Sequence, residues 1–249
     1  CQVNELPERL LNYFSHAYAE NSEPAKSIAT VSDGDRDFGA ILSLLKTRYG
    51  CDFRNYKHGT IARRIMRRVL LAQKDSMEDY LAYLREHPDE AQKLYSDLLI
   101  NVTSFFRDFE AFDALNESVV KETVARKAEN EPIRVWVAGC ASGEEAYSIA
   151  ILFLEELTRA GKHCPLQVFA TDLDDEAVNI ARRAIYPERI ESEIPENLLK
   201  KYFDKNDLDY QAKSSLRDCL TFATQNIVTD PPFSRLDLIS CRNLLIYLS

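Results

Sequence analysis

The sequence predicts an α/β protein in which a small all-helical domain precedes an open, doubly wound parallel sheet. Three observations predict it. Apolar residues recur at helical spacing from about Asp35 to Ile100; short strand-like runs alternate with helical ones after Glu131-Pro132; and a turn of small residues, AGCASG, follows the first of those strands.

The elements follow in order. Leu6 to Glu20 has helical spacing, and the polar NSEPAKSIATVSDGDRD behind it reads as a linker, so residues 1–34 stand apart from the first domain. Residues 35–100 hold four helices: FGAILSLLKTRY, TIARRIMRRVLLAQ, SMEDYLAYLREH with Ser76 as its N-cap, and DEAQKLYSDLLI. Residues 101–249 carry the sheet: strand IRVWV, the AGCASG turn, helix EEAYSIAILFLEELTRA, strand LQVFAT and helix DDEAVNIARRAI. Right-handed crossovers then make the strands parallel. LTFAT (Leu220 to Thr224) and LDLIS (Leu236 to Ser240) are further strands, after a polar stretch, Tyr186 to Asp218, with room for an inserted substructure. If LLIYL opens the next helix, the chain stops inside it. A sheet ending there has an exposed edge, so a C-terminally truncated fragment is expected.

Composition narrows the function classes. No apolar run approaches the roughly 18 residues of a membrane span, and the amino terminus has no secretory pattern, so a cytoplasmic protein without membrane insertion is expected. The six cysteines are widely spaced, with no C-x-x-C, which points to neither a disulfide framework nor a metal site. A net charge of −9 argues against a nucleic-acid partner. Lys57 to Lys74 is the exception, since it contains no acidic residue. There Arg63, Arg64, Arg67 and Arg68 form a cationic face while Ile61, Ile65, Met66 and Val69 pack inward; the face is either a docking surface for an acidic partner or simply solvated.

In open α/β sheets the ligand lies beyond the carboxyl ends of the strands. The turn there, Ala138 to Gly143, is not G-x-G-x-x-G, and Glu144 and Glu145 follow it. Two carboxylates at a helix N-terminus repel a pyrophosphate, which disfavours a dinucleotide. S-adenosylmethionine has no phosphate and carries an ammonium and a sulfonium, so Gly139 permits close approach and a Glu can pair with the cation. Asp172, ending the second strand, can accept from two ribose hydroxyls. The plainer alternatives are helix-dipole partners for the two Glu and an N-cap for Asp172.

Read together, NVTSFFRD (Asn101 to Asp108), VWVAGCASGEEAYSIAI (Val135 to Ile151), FATDLD (Phe169 to Asp174), ARRAIY, KKYF and DLISCRNLLIY (Asp237 to Tyr247) resemble the chemotaxis receptor methyltransferase family, CheR, in order and interval. The resemblance implies a class I, Rossmann-like S-adenosylmethionine methyltransferase that esterifies glutamate side chains on the cytoplasmic helices of methyl-accepting receptors and releases S-adenosylhomocysteine. It implies cofactor contacts at Asn101, Thr103, Arg107, Glu145, Asp172, Asn226, Ile227, Arg242 and Asn243, and a tyrosine, Tyr247, facing the reaction. The opening ELPERLLNYF resembles the tail of the partner methylesterase domain, CheB, as in fusions of the two.

The chain departs from the family in having Ala146 where many relatives carry proline, and in a short KNDLDYQAKSS stretch without the glycine-containing insert associated with tethered receptor peptides. A target glutamate is already ionised at neutral pH, so alignment rather than a general base is required. Arg107 would hold either the target carboxylate or the cofactor's own, and Tyr247 would orient either reactant. Two rival readings are a cofactor-binding sensory module without turnover, and an amino-group methyltransferase on account of Asp230-Pro231-Pro232-Phe233. In the latter class that tetrad follows the fourth strand; here it precedes LDLIS and reads as a rigid turn.

Overall fold

The structure, a computed structural model, describes residues 31–99 and 102–248. The methylesterase-like opening segment and Asn101 lie outside the described residues. The chain divides into two compact units, with the break between Leu98 and Leu99.

The first unit has four α-helices: α1 (Val31–Tyr49), α2 (His58–Leu71), α3 (Met77–Glu86) and α4 (Pro88–Leu98). Helix α1 starts at Val31, so the end of the stretch read as linker is helical. Ser76 caps α3 as expected, its hydroxyl accepting from the Asp79 N–H at 3.0 Å. Ile41, Leu45, Ile61, Ile65, Tyr80, Leu84, Leu94 and Leu98 are fully enclosed and make the core. Met66 departs from the expectation and is 43% exposed. One residue past Ile65 turns the helix by about 100°, which carries Met66 away from the Ile61-Ile65-Val69 line and onto the side of Arg63, Arg67 and Leu70.

The second unit is the sheet. Strands β1 (Ile133–Ala138), β2 (Leu166–Asp172), β6 (Leu220–Thr224) and β7 (Leu238–Ser240) are all parallel and ordered β6-β2-β1-β7. The chain runs outward from β1 to β6 and returns to place β7 on the other side of β1, so the switch point lies between β1 and β7. Alternate residues of β1 and β2, with Phe222, share one core with Tyr147 and Phe153 of α7 (Glu144–Ala160) and Val178 and Ala181 of α8 (Asp175–Arg183). On the opposite face Phe233 of the Asp-Pro-Pro-Phe turn stacks on Phe169 at 4.7 Å and meets Trp136 edge-on. Among the described residues β7 pairs only with β1, and a cavity of about 280 Å3 opens beside it.

The polar stretch between β2 and β6 does hold a substructure. It is a three-stranded antiparallel sheet, ordered β3-β5-β4, from β3 (Ile185–Pro187), β4 (Phe203–Asn206) and β5 (Asp209–Ala212), with α9 (Glu196–Tyr202) and the short α10 (Ser214–Arg217). Ahead of β1, α5 (Phe109–Leu115) and α6 (Lys121–Arg126) are joined through a π-turn, Asn116–Val120. LLIYL forms a single 3-10 turn, Leu245–Tyr247, rather than the start of an α-helix.

Candidate functional site

The carboxyl ends of β1, β2 and β7 converge. After β1 the chain turns through Gly139 at φ +73° and Gly143 at φ +95°, a left-handed region that favours glycine. A Cβ on Gly143 would lie 2.8 Å from Ala181 Cβ, and one on Gly139 2.9 Å from a Leu244 methyl, so neither position admits a larger residue without displacement.

Asp172 is held from two sides: one oxygen accepts from the Ala141 N–H of the β1 turn at 2.7 Å, the other from the Asp174 N–H at 3.0 Å. The N-cap of α8 is Asp174, which accepts from Glu176 and Ala177, so the capping alternative for Asp172 does not apply. Burial pushes the Asp172 carboxyl up from its usual range, against the opposing pull of those N–H groups.

Glu145 accepts from the Ser240 hydroxyl at 2.6 Å and lies 3.8 Å from the Arg242 guanidinium. Burial pushes its carboxyl up too, while Ser240, Arg242 and Arg107 pull it down. Arg242 also donates to the Arg107 carbonyl and the Asp108 carboxylate, both at 2.9 Å, with its guanidinium over the Phe112 ring. Glu144 turns away from this group. It is buried, accepts from the Ser142 hydroxyl, and is likewise pushed up by desolvation.

Arg107 sits between Phe106 at φ 47° and Asp108 at φ 62°. Non-glycine residues held there cost about 1–3 kcal/mol each, so the segment stands only because its surroundings hold it. The Arg107 guanidinium itself donates to the Val102 carbonyl at 2.8 Å. Thr103 is half-buried on the same segment.

The remaining expected residues are less engaged. Asn226 follows β6, where the Gln225 N–H donates to the Asp172 carbonyl; its side chain accepts from the Val228 N–H in a local turn, and Ile227 beside it is half-buried. Asn243, at φ 57°, is exposed. Tyr247 is half-buried, and its hydroxyl makes no hydrogen bond among the described residues.

The four arginines of α2 separate into two pairs. Arg68 forms a bidentate pair with Glu90, and Arg64 donates to the Asp97 carbonyl, so both are used inside the helical unit. Arg63 and Arg67 point outward and form no ion pair among the described residues. Ser240, Asp108 and Ser142 carry site contacts that spacing and residue type gave no reason to single out.

The donor set fits S-adenosylmethionine. Two desolvated carboxylates, Asp172 at the end of β2 and Glu145 in the first turn of the helix after β1, suit hydroxyl and ammonium donors.

Two family models match the chain: "CheR methyltransferase, all-alpha domain" over residues 36–99 and "CheR methyltransferase, SAM binding domain" over residues 101–249. S-adenosylmethionine is the cofactor of the second. Among relatives, an uncharacterized 104.1 kDa protein of Rhodobacter capsulatus is 39% identical, covering 84% of this chain, which spans only 22% of that protein. Chemotaxis protein methyltransferase 2 of Vibrio cholerae is 32% identical, with 86% of this chain and 75% of the relative covered. Putative methyltransferase Cher3 of Pseudomonas putida is 34% identical, with 86% and 78% covered. With both domain models matched in order and such relatives spanning most of its length, the chain belongs to the CheR methyltransferase family.

Proposed function

We propose that the protein is a protein-glutamate O-methyltransferase of the EC 2.1.1.80 type, acting on the cytoplasmic helices of methyl-accepting chemotaxis receptors. The observation that carries the reading is the Glu145–Arg242–Arg107 neighbourhood beside the locked Asp172, in a family whose relatives are named chemotaxis methyltransferases.

When bound, the cofactor supplies a methyl group on a sulfonium. Asp172 accepts the ribose hydroxyls with the lone pairs its two N–H partners leave open. Glu145, already short of full charge compensation, receives the ammonium. Asn226 and Ile227 flank the adenine, Asn101 and Thr103 complete the cofactor contacts, and Asn243 stands with Arg242 at the end of β7. Arg107 releases the Val102 carbonyl to take a carboxylate, its fork matching two oxygens at once. The target carboxylate is already ionised and needs no base. The protein's part would be to hold it in line with the methyl and away from water, so that the O–CH3 bond would form as the S–CH3 bond breaks and S-adenosylhomocysteine leaves; alignment alone can supply up to about 7–11 kcal/mol. Tyr247 orients a reactant through its hydroxyl. On α2, Arg63 and Arg67 face the acidic receptor helix, and Arg64 and Arg68 hold the helix that presents them.

The test is tritiated methyl transfer from S-adenosylmethionine to receptor cytoplasmic fragments by the full-length protein, with Arg107→Ala as control. Base-labile label released as methanol and lost in the variant supports the reading. Cofactor binding without transfer to any receptor supports the sensory-module alternative instead.

A further inference from the structure

We infer that Glu193 is a positioning residue for methyl transfer, acting through the backbone N–H of Phe105 to set where Thr103 and Arg107 stand. The inference rests on the reading of Thr103–Arg107 as a cofactor segment.

The segment has no regular structure of its own, and its two left-handed residues would relax if released. Two consecutive N–H groups pin it. Phe106 N–H donates to the Ser148 hydroxyl at 3.0 Å, and that hydroxyl donates onward to the Glu144 carbonyl at 2.7 Å. Phe105 N–H donates to Glu193 Oε2 at 2.8 Å, across 88 residues of sequence. Glu193 follows the 3-10 turn Glu188–Ser192 in the inserted substructure. The same substructure holds the Phe105 ring edge-on against Tyr186 of β3 at 4.9 Å and Phe203 of β4 at 5.6 Å. The insertion therefore grips Phe105 by both ring and backbone, two residues before Arg107.

The Glu193 carboxylate is not consumed elsewhere. Its ion pair with Arg189 is 3.9 Å long, and the arginine side chain is 68% exposed, so it restrains little. The bond to Phe105 is charge-assisted and mostly out of solvent, the stronger kind. Nothing in this arrangement places Glu193 on a reacting atom. It acts on the cofactor through the segment that it holds.

The test compares Glu193→Ala, Glu193→Gln and Arg189→Ala in the full-length protein, reading S-adenosylhomocysteine affinity by calorimetry, KM for cofactor and for receptor fragment separately, and fold by near-ultraviolet dichroism. We expect Glu193→Ala to weaken S-adenosylhomocysteine binding by about tenfold or more and to raise the cofactor KM more than the receptor KM. Glu193→Gln keeps an acceptor oxygen without the charge and should fall between alanine and wild type, whereas Arg189→Ala leaves the bond intact and stays within about twofold of wild type. If Glu193→Ala does not fold, Glu193→Met, which keeps the bulk without the acceptor, takes its place with the same expectation. Wild-type affinity in the alanine or methionine variant would overturn the inference, and so would a glutamine variant as weak as alanine. Wild-type protein that does not bind S-adenosylhomocysteine would overturn the cofactor-site reading itself, and shows before any variant is made.

Discussion

Each unit of the molecule contains a largely buried Arg–Glu pair, and the two pairs are built differently. In the helical unit Arg68 and Glu90 are only 14% and 7% exposed and meet at 2.7 Å; the Tyr80 hydroxyl donates to the same carboxylate at 3.0 Å, and Asp97 lies 3.4 Å from the guanidinium. Every strong group there is matched. In the sheet unit Arg242 and Glu145, 25% and 16% exposed, stand 3.8 Å apart, and the arginine makes its short bonds to Arg107 and Asp108 instead. Burial is similar and completion is not. A saturated pair has nothing left to offer a ligand, whereas an unsaturated one keeps charge available and leaves its carboxyl pushed up by burial.

The largest expected effect breaks the saturated pair. Arg68→Ala leaves Glu90 buried without its cation and should destabilise the protein by about 3–5 kcal/mol in urea denaturation. A loss below about 1 kcal/mol would mean that the pair is no more structural than a surface one. Next, Arg242→Met should weaken S-adenosylhomocysteine binding by about tenfold or more while costing under about 1 kcal/mol of stability, because Glu145 is 3.8 Å away and keeps the Ser240 hydroxyl, and the closer partner Asp108 is exposed. Equal losses of stability in the two variants would erase the contrast. Within α2, the double change Arg63→Ala with Arg67→Ala should raise the receptor KM about three- to tenfold and leave cofactor affinity alone. Arg64→Ala, by contrast, should register in stability.

The smallest effect has the opposite sign. With its folded-state carboxyl raised, Glu145 contributes stability that is present at low pH and lost as pH rises through that raised value. Glu145→Gln retains an acceptor for Ser240 and removes the desolvated charge. The cofactor-free protein should therefore melt about 1–2 °C higher at pH 7, with no gain at pH 4. A variant that melts lower at both pH values would show that Arg242 already compensates the charge.

The sequence made much of this legible, and unevenly. The four strands of the parallel sheet are short runs rich in apolar residues, and a long helical run separates the first from the second, so their length and spacing identified them. The inserted sheet was legible only as a gap: FDKN and DYQA are polar, and cross-strand pairing holds them more than any intrinsic preference. Met66 was misplaced because residue type was read without its angle around α2. Asp172 and Glu145 were readable from their place at a strand end and a helix start. Ser240, Ser148 and Glu193 were not, since a hydrogen bond across 95, 42 or 88 residues leaves no periodicity behind.

Asp172 has one more consequence, for the rate of binding rather than its strength. Both oxygens are oriented by N–H groups from two different turns before any cofactor arrives. The rotamer freedom that an acceptor usually loses at encounter, about 0.5–1.5 kcal/mol, is then lost during folding instead. On the proposed function, the ribose meets a rigid receiver, and its docking should proceed in one step. Stopped-flow association rates would then climb linearly with cofactor concentration, while Asp172→Glu, whose longer arm no longer reaches the same N–H groups, would bend toward a plateau set by its own reorientation.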